Sequence, residues 1–257
     1  MAENVVLFAS YPKTGSTWLR KLLTELVCPG GVSDEVVPSF LKAFPGNAPV
    51  FPVMGTHAQI VKTHLWPGQR RFSLLEGDLI GVVSIKRHPL DVVLSSINYA
   101  SVHRAKEVFP NGEVMSVEDL IAAGRIGWFL DRFIEDDGFS WFASQSGTFS
   151  IYQQLWRDYA ARLPYLELCY EDMFADPAQA VLTLAGFLEV PCDIARARKI
   201  VKVGDEGTQP DGGFYWKRRA YNFEGMLPPD VAENFNHRIA PVLESLGYDH
   251  PTRPRGA

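Results

Sequence analysis

The chain has 257 residues, of which 46% are hydrophobic and 21% are charged. This size and balance are typical of a folded α/β protein, and they exclude a disordered chain, a collagen and a coiled coil. The 25 basic and 30 acidic residues give a formal net charge of −5, which argues against a broad nucleic-acid surface but permits a small basic pocket for one anionic ligand.

Hydrophobic periodicity predicts strands that alternate with helices from the amino end onward. Residues 5–9 form an apolar run typical of a buried strand, and leucines at helical spacing follow over 19–26. Further strands are predicted at 60–61 and 79–85. The second of these leads to Pro89, a residue type that favours the first position of a helix.

The second half of the chain continues this alternation. A helical pattern covers 149–163, a strand is predicted at 165–170, and another helix is predicted at 177–188. Strands that alternate with helices predict the α/β fold class. We expect a single domain over residues 1–257, with a central, mostly parallel β-sheet flanked by helices.

The segment 99–147 breaks this regularity with short helical pieces rich in aromatic residues, and we interpret it as an insertion that covers a site. Composition predicts a loop at 205–213, because glycines and acidic residues cluster there. It is followed by the aromatic and basic run 214–219. A final helix is predicted after Pro228 and continues towards Leu246.

Cysteine usage and apolar stretches bear on the environment of the protein. The three cysteines, Cys28, Cys169 and Cys192, lack metal-type spacing, and their odd number argues against a disulfide framework. No apolar stretch approaches the ~20 residues of a membrane helix, and the amino end lacks the pattern of a signal peptide. We therefore expect a cytoplasmic protein with reduced thiols, no membrane or nucleic-acid partner and no bound metal.

The residues that follow the predicted strands are the first candidates for a site, because ligands of open α/β sheets bind beyond the carboxyl ends of the strands. The turn 11–17 places Lys13, Gly15 and several hydroxyls between a strand and a helix. Free backbone N–H groups at such a turn suit a phosphate. The turn is not a Walker A motif, because Lys13 precedes Gly15. An ordinary capped helix start stays open as the alternative.

At these residues the chain resembles the cytosolic-type sulfotransferases, which use 3′-phosphoadenosine 5′-phosphosulfate (PAPS). Their signature Tyr-Pro-Lys-[Ser/Thr]-Gly-[Ser/Thr]-Thr-Trp is reproduced by residues 11–18. The Lys-Thr-His block recurs at 62–64, an arginine with a serine eight residues later recurs as Arg87 and Ser95, and Tyr-Glu-Asp recurs at 170–172. Four blocks in the family's order make a strong joint signal.

The resemblance implies a P-loop-like nucleotide site and a transferase that moves a sulfonate group in line from PAPS to a hydroxyl or amine of a small-molecule acceptor. The products would be the sulfonated acceptor and 3′,5′-diphosphoadenosine (PAP), and no metal would take part. His64 would be the general base, and Lys13 and Lys62 would stabilise charge on the sulfonate and the leaving oxygen. The implied nucleotide contacts are Lys13, Thr14, Gly15, Ser16 and Thr17 at the 5′-phosphate, Trp18 and Tyr170 near the adenine, and Arg87 and Ser95 at the 3′-phosphate.

The carboxyl end departs from the family's pattern. Where the family has Arg-Lys-Gly and then Gly-Asp-Trp, this chain has Lys217, Arg218, Arg219 and Ala220, so that charge is kept and glycine is lost. All three cations are candidates for the 3′-phosphate, and the sequence does not choose among them. The family's serine and aromatic residue that reach the nucleotide have no clear counterpart near 203–204.

The acceptor is not specified by any motif. The aromatic content of 99–147 favours an apolar or aromatic acceptor, although the helical spacing of Trp128, Phe129 and Phe133 is more typical of core residues.

Two other functions remain open. A small-molecule kinase of the P-loop type would need Mg²⁺, a Walker A motif and a carboxylate for the metal. A non-catalytic nucleotide-binding regulatory module would need no base, so His64 argues against it.

Overall fold

A computed structural model describes residues 4–40, 48–69, 79–109, 113–208 and 216–248. The strands are β1 (Asn4–Ser10), β2 (Ser39–Phe40), β3 (Val50–Val53), β4 (Thr56–Thr63), β5 (Leu79–Lys86) and β6 (Tyr165–Cys169). The larger helices are α1 (Ser16–Val27), α3 (Pro89–His103), α6 (Ile126–Glu135), α8 (Phe149–Tyr159), α10 (Pro177–Leu188), α11 (Ile194–Glu206) and α12 (Pro229–Arg238). The shorter ones are α2 (Ser33–Val36), α4 (Ala105–Val108), α5 (Val117–Ala122), α7 (Ser140–Ser146), α9 (Tyr170–Ala175) and α13 (Ala240–Ser245).

The strands form one sheet in the order β2-β4-β1-β5-β6, and all of these neighbours are parallel. β3 pairs with the outer edge of β4 and is antiparallel to it. The mostly parallel sheet predicted from the sequence is therefore confirmed. β1 is central and buried on both faces, which explains why it reads as an uninterrupted apolar run.

Helices cover both faces of this sheet, because successive side chains of a strand point to opposite sides. Val6 and Phe8 of β1 pack into a core with α1, α10 and α11. Val5 and Leu7 pack into a second core with α3, α6, α8 and α12. Trp156 of α8 is among the largest fully buried side chains of this second core.

Strand register brings the carboxyl ends of the three central strands to one edge. Ala9 of β1 is level with Thr63 of β4, and Ser10 is level with Ile85 of β5. The residues that follow these strands therefore meet at the same edge of the sheet.

Most of the predicted elements are present, with shifted ends. The predicted strand 165–170 ends at Cys169, because Tyr170 begins α9. The predicted helix 149–163 is α8 followed by a 3₁₀ turn before Pro164. The predicted final helix is two helices, α12 and α13, that meet at Ile239, and Pro241 lies in the first turn of the second.

The less regular segments agree with the predictions only in part. The predicted loop 205–213 was wrong at its start, since α11 continues to Glu206, and its part beyond Thr208 lies outside the described residues, as do residues 214–215 of the aromatic and basic run. The segment 99–147 begins inside α3 and is then a series of short helices, as expected. Within it Phe129 and Phe133 are core residues, whereas Trp128 is 59% exposed.

Two further observations concern membrane-spanning helices and the state of the cysteines. Among the described residues, no helix has both the length and the apolar character needed to cross a bilayer. All three cysteines are free thiols of intermediate exposure.

Candidate functional site

A cavity of about 330 Å³ opens at the carboxyl edge of the sheet. Most residues predicted for the site line it: Lys13, Gly15, Ser16, Thr17, Trp18, Lys62, His64, Arg87, Ser95, Tyr170, Lys217 and Arg218. Lys13 follows β1, His64 follows β4 and Arg87 follows β5, so three neighbouring parallel strands present their basic residues to one space.

The turn after β1 has the backbone shape of an anion-binding loop. Lys13 has a φ of 70° and Gly15 a φ of 98°, both in the left-handed region. Left-handed residues in a turn curve the backbone so that successive N–H groups face a concavity, which suits an anion. Gly15 also directly precedes α1, whose amino end carries a partial positive charge. A Cβ at Gly15 would lie 2.4 Å from the Tyr170 ring, so only glycine fits there.

Two of the predicted residues do not line the cavity. Thr14 is 2% exposed, and its Oγ1 donates a 2.8 Å hydrogen bond to the carbonyl of Tyr11, which stabilises the turn from within. Arg219 has an exposed side chain, and its carbonyl oxygen accepts a hydrogen bond from Arg87. Both residues support the site through contacts outside the cavity.

His64 is held in one tautomer. Its Nδ1 lies 2.6 Å from the carbonyl oxygen of Ser10, an atom that can only accept, so Nδ1 carries the proton and Nε2 has the free electron pair. Nε2 lies 3.1 Å from Nζ of Lys62. Burial and the charge of Lys62 lower the pKa of His64 well below its ordinary value. The imidazole is therefore neutral near pH 7 and able to accept a proton at Nε2.

The two lysines of the cavity titrate close to neutral pH. Burial and the neighbouring Arg87 lower the pKa of Lys13 to about 8. Burial and the neighbouring Arg20 lower the pKa of Lys62 to about 7. Nζ of Lys13 also lies 4.6 Å from the centre of the Tyr99 ring, within range of a cation–π contact. An anion bound between these lysines would favour their charged forms.

The guanidinium of Arg87 is buried and connects several segments. Nη2 donates to Asp91 and to the carbonyl of Arg219, each over 3.0 Å, and Nη1 donates to the carbonyl of Lys13 over 3.4 Å. Nε is buried and has no hydrogen-bond acceptor in the described parts of the chain. Its Cζ lies 4.2 Å from the centre of the Tyr170 ring. Arg87 thus lines the cavity, and its buried Nε lacks an acceptor among the described residues.

The cations of the carboxyl end already have partners. Arg218 contacts Asp205 over 2.5 Å, and its Cζ lies 5.5 Å from the centre of the Trp18 ring. Lys217 pairs with Glu118 over 2.8 Å. Both side chains line the cavity, with Arg218 on the side of Trp18.

Sequence reasoning missed several lining residues: Pro12, Tyr99, Arg104, Phe142, Thr208, Trp216 and Asn222. Tyr99 could have been found, because it lies one helical turn after Ser95 on α3 and shares its face. Pro12 could have been found too, because it lies in the turn 11–17 after β1, whereas the others lie outside the strand-end positions and carry no comparable signal. Among the described residues that line the cavity there is no carboxylate. The described parts of the chain also hold no cluster of His, Cys, Asp and Glu suited to a metal ion.

A family model described as a sulfotransferase domain matches residues 3–203. The chain therefore belongs to the sulfotransferase domain family. Among similar proteins is Sulfotransferase 4A1 of Mus musculus, 27% identical over 209 residues, which covers 77% of this chain and 64% of that protein. The chain thus spans less than two thirds of the length of this relative.

Solved structures share the fold. Mouse sulfotransferase SULT7A1 complexed with PAP has a TM-score of 0.65 at 16% identity, and the match covers 95% of this chain and 84% of that one. Retinol dehydratase in complex with androsterone and inactive cofactor PAP has a TM-score of 0.53 at 16% identity, covering 97% and 83%. These similarities confirm the expected α/β fold class.

Gly15→Ala tests the close approach of Tyr170. We expect the free energy of unfolding in urea to fall by roughly 1–3 kcal/mol, because the new Cβ meets the ring and the backbone is left-handed. Gly127→Ala, in the first turn of α6 with open space where a Cβ would lie, is the control and should be neutral or slightly stabilising. Equal stability of Gly15→Ala and the wild type would contradict this packing.

Proposed function

We propose that this protein is a PAPS-dependent sulfotransferase that moves a sulfonate group to a hydroxyl or amine of a small-molecule acceptor and releases PAP. The observation that carries the proposal is the convergence of Lys13, His64 and Arg87 on one cavity from the ends of three neighbouring strands. Membership of the sulfotransferase domain family supports it, as do structural relatives that were solved in complex with PAP.

The donor nucleotide would lie along the turn after β1. Backbone N–H groups and the hydroxyls of Ser16 and Thr17 would bind the 5′-phosphate at the amino end of α1. Trp18 and Tyr170 would contact the adenine. The guanidinium of Arg218 lies over the Trp18 ring and lines the same cavity.

Arg87 and Ser95 would bind the 3′-phosphate. The buried Nε of Arg87, which has no acceptor among the described residues, is suited to a charge-assisted hydrogen bond to a phosphate oxygen. Lys217 is a further candidate from the carboxyl end, since it also lines the cavity. Arg219 would take part only through its carbonyl oxygen, which accepts from Arg87.

The transfer needs a base and cations. Nε2 of His64 would take the acceptor's proton as its oxygen or nitrogen bonds to sulfur, and the bond from sulfur to the bridging oxygen would break, leaving the electron pair on the phosphate. Lys13 would neutralise the charge that grows on that oxygen. Nζ of Lys62 donates to Nε2 in the structure, so Lys62 must turn to the sulfonate before Nε2 can accept a proton.

The acceptor would enter beside the segment 99–147, which we propose as the acceptor side of a single domain. Tyr99 and Phe142 from this segment line the cavity, which favours an apolar or aromatic acceptor. The structural relative retinol dehydratase was solved in complex with androsterone, a largely apolar molecule. Because all three cysteines are free thiols, we propose that the protein works in the cytoplasm.

The first test is turnover with labelled PAPS and a panel of phenols, alcohols and amines in excess EDTA. We expect labelled sulfonate on at least one acceptor, with ATP inert as donor, because the cavity offers cations to the donor rather than carboxylates to a metal. A requirement for Mg²⁺ and ATP, with phosphate on the product, would show a kinase. Binding of PAP without any product across the panel would favour a non-catalytic module.

His64→Ala tests the general base. We expect turnover to fall by roughly 10²-fold or more, the scale of a lost acid–base group, while PAP binding is largely kept. His57→Ala is the control, since His57 has an exposed side chain near the amino end of β4, away from the cavity. Near-normal turnover of a folded His64→Ala protein would remove His64 from the mechanism.

Calorimetry of PAP binding tests the titration of Lys13. Near pH 8 Lys13 is about half charged, so binding the 5′-phosphate of PAP beside it should draw about half a proton onto Lys13. Lys13 is charged near pH 6, and the uptake should disappear there. Titrations in two buffers of different ionisation enthalpy measure the proton number. Binding near pH 8 without proton uptake would contradict the lowered pKa of Lys13.

A further inference from the structure

Asp91 is a buried carboxylate that supports the cavity without lining it. It lies in the first turn of α3 and is 1% exposed. Its Oδ2 accepts a 3.0 Å hydrogen bond from Nη2 of Arg87, and its Oδ1 accepts a 3.2 Å hydrogen bond from the backbone N–H of Phe223. One carboxylate thus joins the guanidinium of the cavity to a segment 132 residues further along the chain.

The segment 216–223 forms one wall of the cavity and is joined to Arg87 and Asp91 at two points, beside the ion pairs of Lys217 with Glu118 and of Arg218 with Asp205. Phe223 is held by Asp91, and the carbonyl of Arg219 accepts hydrogen bonds from Arg87 and from Nδ2 of Asn222. Between and beside these points Lys217, Arg218 and Asn222 line the cavity. The position of this wall therefore depends on Arg87 and Asp91.

The backbone of this segment needs such fastening. Arg218 has a φ of 46° and Tyr221 a φ of 51°, left-handed values that are unfavourable for residues with a side chain. A left-handed backbone without glycine persists only where the surrounding structure holds it. The hydrogen bonds of Asp91 and Arg87 hold it here, together with the ion pair of Arg218 with Asp205.

We propose that Asp91 is a positioning residue for recognition of the 3′-phosphate. Its carboxylate fixes one edge of the Arg87 guanidinium beside the cavity, and it holds the segment 216–223 near the same phosphate. This inference rests on the proposed function, because it takes Arg87 as the 3′-phosphate contact. It adds a positioning role for Asp91, a residue that would contact neither the nucleotide nor the acceptor.

Asp91→Asn tests the inference, because it keeps the shape of the side chain and places an amide against Arg87. Calorimetry with PAP and with 5′-AMP, which lacks the 3′-phosphate, measures both affinities. We expect the affinity for PAP to fall roughly 10-fold, the scale of one charge-assisted hydrogen bond, and that for 5′-AMP to fall less than about 2-fold. Hydrogen exchange at the Phe223 amide should become faster.

Ser96→Ala is the matched control. Ser96 is a fully buried polar residue on the same helix whose Oγ donates to the carbonyl of Val92, so its loss should change both affinities by the same small factor. Should Asp91→Asn fail to fold, Asn222→Ala is the second variant, because it removes the hydrogen bond from Asn222 to the carbonyl of Arg219. It should also lower the affinity for PAP more than the affinity for 5′-AMP.

Several results would overturn the inference. Equal losses for the two nucleotides, or unchanged PAP affinity in a folded Asp91→Asn protein, would show that Asp91 has no part in reading the 3′-phosphate. If the wild type binds PAP no more tightly than 5′-AMP, the 3′-phosphate site of the proposed function itself is wrong. The wild-type comparison therefore separates a failure of the proposed function from a failure of this inference.

Discussion

A buried guanidinium requires fixed acceptors for its donors and a counter-charge, and Arg87 meets this requirement by joining separate parts of the chain. Asp91 supplies the counter-charge one helical turn away, and the carbonyls of Lys13 and Arg219 accept further hydrogen bonds. The turn after β1, the start of α3 and the carboxyl-terminal segment are thereby held around one cavity. Nε is buried and has no acceptor among the described residues.

The sheet could be predicted from the sequence because buried parallel strands are uninterrupted apolar runs, as at 5–9. The strands β2 and β3 could not, since they have two and four residues and the latter contains Pro52. Helix α11 escaped prediction because the residues it buries are Ala197, Ile200 and Gly204, two of them small. Gly204 packs against α1, so a close helix contact replaces the usual apolar stripe.

The strand-end half of the candidate site was predictable for a related reason, since parallel register brings the carboxyl ends of neighbouring strands together. The other half was not. Thr208, Trp216 and Asn222 reach the cavity from segments whose position no periodicity determines. The hydrogen bond from Phe223 to Asp91 spans most of the chain, and no local pattern indicates such a pairing. The ion pairs of Lys217 with Glu118 and of Arg218 with Asp205 are also visible only in the folded protein.

The most direct test of the account follows the Nε–H of Arg87 by nuclear magnetic resonance of ¹⁵N-labelled arginine, with Arg87→Lys used to assign the signal. The account predicts that PAP shifts this signal strongly, because the 3′-phosphate gives the buried donor an acceptor, and that 5′-AMP leaves it near its starting position. A signal that PAP leaves unchanged, or that both nucleotides shift equally, would contradict the central role given to Arg87.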